Sequence, residues 1–92
     1  MAAERGYAKA QSALGYMYYT GEGVPQDMKK AFDLTMQAAV QGRAAAQYNI
    51  GNKYLFGRGV DKDVNQSLIW YKKSAAQGYT DAQYSLGKCA DN

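Results

Sequence analysis

Ninety-two residues make one domain at most, and eleven basic against eight acidic side chains leave a net charge of only +3. Histidine is missing, so the commonest general base and metal ligand is excluded, and the single Cys89 can close no disulfide within the chain. No apolar run nears the ~20 residues of a membrane span, and the basic residues are scattered, with only Lys29-Lys30 and Lys72-Lys73 adjacent, so no basic stripe points to nucleic acid.

Residues 2–5 match the last turn of a type B helix, and Gly6 shares the column of the glycines that stop such helices, so 1–6 read as the end of a preceding repeat. A first unit spans 7–42. Its opening helix, type A, stops at Gly21-Glu22-Gly23-Val24, Pro25 stiffens the loop, and Asp27 caps a second helix, type B, over 28–40. Gly42 separates this unit from the next, which spans 43–78. Its helix A covers 43–56, where Ala46, Ile50 and Tyr54 form one apolar stripe. Gly57 suits the left-handed position after a helix, Val60 is expected to tuck under the pair, and Asp63 caps helix B over 64–76. After Gly78 a third helix A runs over 79–90. The predicted order is A-B-A-B-A, an all-α arrangement forming a single domain over 1–92 with a partial last unit at 79–92.

The two units are copies. All ten glycines fall into register at a spacing of 36 residues: Gly6, Gly42 and Gly78; Gly15, Gly51 and Gly87; Gly21 and Gly57; Gly23 and Gly59. Ala10-Gln11 recurs as Ala46-Gln47 and Ala82-Gln83, and Leu14, Ile50 and Leu86 align. A gapless period of this length is the signature of a helical solenoid. Gly15, Gly51 and Gly87 lie inside helix A, where glycine costs about 1 kcal/mol relative to alanine. Close helix–helix contact is the expected reason. The small residues Ala31 and Ser67, and Ala38 and Ser74, are expected to let helix B lie near helix A. Tyr18 and Tyr54 are expected in the core, and Tyr48 and Tyr84 as bridges between neighbouring helices.

The remaining chemical motifs have structural explanations. Asp61-x-Asp63-x-Asn65 begins like a calcium loop, but Gln66 stands at the turn glycine and Lys72 at the bidentate glutamate, so no metal is expected. The Gly-x-Gly turns follow helices and lack the rest of a phosphate loop, so no cofactor is expected either. Cys89 has no histidine partner and reads as an ordinary half-buried thiol. Met1-Ala-Ala-Glu-Arg5 contains no apolar stretch of a signal peptide. The cytoplasm is the default expectation, and a periplasmic or secreted location would require a signal removed ahead of Met1.

The pattern Ala-Gln-Tyr-x-Ile-Gly-x-x-Tyr-x-x-Gly-x-Gly-Val-x-x-Asp at 46–63 resembles the Sel-1-like repeat, a 36-residue relative of the tetratricopeptide repeat. Ser-Leu-Ile-Trp-Tyr-x-x-Ser-Ala-Ala-Gln-Gly at 67–78 fits its second helix. The resemblance implies a right-handed superhelix of antiparallel helix pairs, A helices on its concave face, in a family of adaptors. Some secreted members staple each repeat with a cysteine pair, which this chain lacks.

Structural columns repeat, whereas recognition columns should vary. On helix A the varying face carries Lys9, Tyr16 and Thr20; Asn49, Asn52 and Phe56; and Ser85 and Lys88. An aromatic anchor with amides suits an extended peptide or a partner helix. The expected function is a non-enzymatic protein-interaction module. The alternative is a small inhibitor or immunity-type protein that neutralises a cognate bacterial effector. Repeat arrays need about three units and polar caps, so self-association through open repeat ends is also expected.

Overall fold

The structure, a computed structural model, describes the backbone of residues 2–90 and the side chains of residues 9–88. The Cys89 side chain lies outside the described residues. Five helices follow in order: α1 (Ala2–Thr20), α2 (Met28–Val40), α3 (Ala44–Phe56), α4 (Val64–Ala76) and α5 (Thr80–Ala90). The expected all-α architecture of stacked helix pairs is what the chain adopts.

Local chemistry sets the boundaries. The Asp27 carboxylate accepts the Lys30 backbone N–H at 3.0 Å, and Asp63 accepts that of Gln66 at 3.1 Å. Each cap residue also donates its own N–H back to helix A, Asp27 to the Tyr18 carbonyl and Asp63 to that of Tyr54, both at 2.9 Å. Gly57 ends α3 at φ +68°, and its N–H and that of Arg58 both reach the Lys53 carbonyl.

One boundary differs from expectation. Gly6 does not end a helix, because α1 runs through it unbroken. Glycine permits a break without compelling one. Gly42 and Gly78 turn at φ +97° and +86°, where α3 folds back on α2 and α5 on α4. Among the described residues no earlier helix precedes α1 to draw the chain into such a turn.

Each helix packs on its sequence neighbours: α1 on α2, α2 on α3, α3 on α4, α4 on α5. The A helices α1, α3 and α5 form one layer, and the B helices α2 and α4 the other. The result is a slab of 38 × 31 × 16 Å, whose thin dimension matches two helix layers.

Close packing explains Gly15 and Gly51 but not Gly87, whose added Cβ would meet nothing within 4 Å among the described residues, because no described helix follows α5 to pack there. A Cβ on Gly51 would sit 2.6 Å from the Tyr71 ring, and one on Gly15 2.8 Å from Thr35 Oγ1. The core is built of small side chains: Ala31, Ala38, Ala39 and Ala46 are buried with Ile50, and Phe32, Met36, Tyr54 and Trp70 close around them. Ser67 and Ser74 take the places of Ala31 and Ala38 and are fully buried. Ser74 donates its hydroxyl to the Ala44 carbonyl at 2.8 Å. Ser67 Oγ has no partner among the described residues, a burial that costs about 1–3 kcal/mol. The glutamine column is a cross-tie: Gln41 Nε2 donates to Gln11 Oε1 at 2.6 Å, and Gln77 repeats this to Gln47 at 2.9 Å.

Two columns break symmetry. Tyr48 bridges as expected, its ring 5.8 Å from that of Tyr71 and 5.4 Å from that of Tyr79. Tyr84 does not bridge and is 71% exposed, because no described helix follows α5 to supply a counterpart of Tyr71. Leu14 is 38% exposed while its copy Ile50 is fully buried, because the helix before α3, α2, covers Ile50 and no described helix precedes α1.

Candidate functional site: a cleft between neighbouring A helices

Helices α1 and α3 lie side by side with little direct backbone contact. Between them opens a cleft of about 110 Å³. Ser12, Gly15, Tyr16 and Tyr19 of α1 form one wall, Asn49, Asn52 and Lys53 of α3 the other, Thr35 of α2 reaches it, and Arg58 enters from the turn after α3.

Of the eight residues predicted to meet a partner, the cleft gathers Tyr16, Asn49 and Asn52. Phe56 lies outside the lining but beside it, exposed, with the Arg58 guanidinium 5.0 Å from its ring centre. Thr20 is engaged in ending α1: its hydroxyl donates to the Tyr16 carbonyl at 3.1 Å and accepts the Glu22 N–H at 3.3 Å. Lys9 and Lys88 are exposed and Ser85 is half-buried, all outside the cleft lining.

The Tyr71 ring lies over Gly51, and its hydroxyl donates to Asn52 Oδ1. That bond fixes the amide and leaves the Asn52 N–H donors for the cleft.

Lys53 is a cleft residue that the sequence reading passed over. It is only 6% exposed, and its ammonium lies 4.5 Å from the centre of the Tyr19 ring. Burial pushes its pKa below the ordinary lysine range, and the nearby positive charge of Arg58 pushes the same way. No carboxylate among the described residues pairs with it, and the cleft lining contains no Asp or Glu. A signal was present: its 36-residue copies are Met17 and Cys89, so a cation occupies an otherwise apolar column. Arg58 stands 5.6 Å from the Tyr19 ring centre, and Tyr16 and Tyr19 lie 6.4 Å apart. The cleft therefore has aromatic walls, a cation at its floor, a second at its rim, and amide and hydroxyl groups between. Such groups hold and orient a ligand.

Elsewhere, the Asp63 carboxylate is occupied as a helix cap. No helix among the described residues is long and apolar enough to cross a membrane.

A family model described as the Sel1 repeat matches residues 8–42 and 44–79. Among solved structures, a Sel1 repeat protein from Oxalobacter formigenes is 42% identical with a TM-score of 0.87. A protective antigen of uropathogenic Escherichia coli, described as displaying an SLR fold, is 42% identical with a TM-score of 0.88. The matches cover 88% and 95% of this chain, which spans 61% of the first protein and 19% of the second. No curated protein matches.

Proposed function

This chain belongs to the Sel1 repeat family, whose members are interaction scaffolds, and from that premise we propose a non-enzymatic module that holds a protein partner in the cleft between α1 and α3. The occupant is an extended peptide or a helix lying along the face of the A helices. One observation carries the reading: Tyr16, Asn49 and Asn52, which vary between repeats, converge on one cleft, while the repeating columns around them are consumed in packing. Aromatic anchors and amides are the groups that grip a peptide chain.

The test is a binding measurement on partners captured by the chain. Tyr16→Ala combined with Asn52→Ala should weaken binding by about tenfold or more. Thermal melting of the same variant separates lost affinity from lost fold. Unchanged affinity for every partner removes the cleft as the site. The exposed Leu14 face further supports weak self-association, tested below.

A further inference from the structure

We propose that the floor of this cleft is a carboxylate site, in which Lys53, the Asn52 amide and the Arg58 guanidinium at the rim take an aspartate or glutamate side chain of an extended peptide. The inference rests on the interaction reading above and adds the chemistry of what is recognised. A lysine that is 6% exposed, faces a cleft and has no counter-ion among the described residues is a group awaiting an anion. Tyr19 covers one side of the ammonium with its ring face, which leaves N–H donors for the cleft. The Asn52 donors lie in the same lining, since Oδ1 is taken by Tyr71. Among the described residues no acidic side chain in the lining competes.

Charge and size select the ligand. One buried monovalent cation with neutral donors balances one carboxylate. A phosphate brings a second negative charge and oxygens on every side, whereas the floor offers one cation with neutral donors, and Arg58, over the Tyr19 and Phe56 rings at the rim, meets only the outer edge of a ligand. A cleft of about 110 Å³ takes a single short side chain and leaves the peptide backbone outside, in reach of Asn49 and Tyr16. An internal acidic residue satisfies this arrangement.

The probes are an acetylated, amidated pentapeptide with a central aspartate among alanines, its asparagine twin, and inorganic phosphate. They are titrated into the protein while the Lys53 side-chain resonances are followed by NMR. The aspartyl peptide should shift Lys53 saturably and return its pKa toward the ordinary lysine range. The asparagine twin should bind at least about tenfold more weakly. Lys53→Met, which keeps an unbranched apolar stem but no charge, should lose the preference for aspartate. The inference is overturned if the twin binds equally, if phosphate binds more tightly than the aspartyl peptide, if Lys53 does not respond, or if Lys53→Met retains the preference. The two readings fail separately. A captured partner lost by Tyr16→Ala with Asn52→Ala but kept by Lys53→Met would leave the cleft as the site and refute the carboxylate.

Discussion

Lys53 sits in a seam where the other copies of its column carry Met17 and Cys89, and the consequence is a titration with a definite sign. Its pKa in the folded protein lies below the ordinary value of about 10.4 that the unfolded chain restores. Between those two values the unfolded state holds more protons, so this residue's contribution to stability rises with pH across that window. Below it the buried charge exerts its full cost, offset by about 0.5–1 kcal/mol from the Tyr19 ring. Lys53→Met should therefore stabilise the protein at pH 7 by about 1 kcal/mol. The gain should shrink as pH climbs toward 10, read as the difference in unfolding free energy between the two proteins. A difference that stays constant or widens with pH would contradict the assignment.

At the level of helices, one glycine column predicts opposite outcomes for the same change. Gly51→Ala drives a methyl into the Tyr71 ring, an overpacking that should cost about 1–3 kcal/mol despite the better helix propensity of alanine. Gly87→Ala meets nothing within 4 Å among the described residues and should stabilise by up to about 1 kcal/mol. Thermal melts of the two variants check both signs. The column shows how far a sequence can be read. Helices, caps and the Gly57 turn were legible because each is a local backbone device that recurs every 36 residues. Gly6 and Tyr84 were misread because they share a column with Gly42 and Tyr48 but not a neighbour. Position in a repeat fixes what a residue could touch, and the stacking partner decides whether it does. The lining of the candidate cleft was half legible. Variation between units found Tyr16, Asn49 and Asn52. It missed Lys53, which looked like one dispersed surface charge among eleven basic residues.

For the whole molecule, the exposed Leu14 stripe on α1 has its buried copy in Ala46 and Ile50 under α2, so the slab carries an apolar face shaped for another helix. We propose that a second copy covers it weakly at high concentration. Sedimentation should show the average mass rising with concentration for the natural protein and staying at monomer for Leu14→Glu. Monomer throughout for both would exclude it. Packing confined to sequence neighbours has a mechanical consequence as well. With little tying α1 directly to α3, the two can splay apart by bending over α2 without tearing the core. The slot between them is therefore the part of the slab that can widen and spring back most readily.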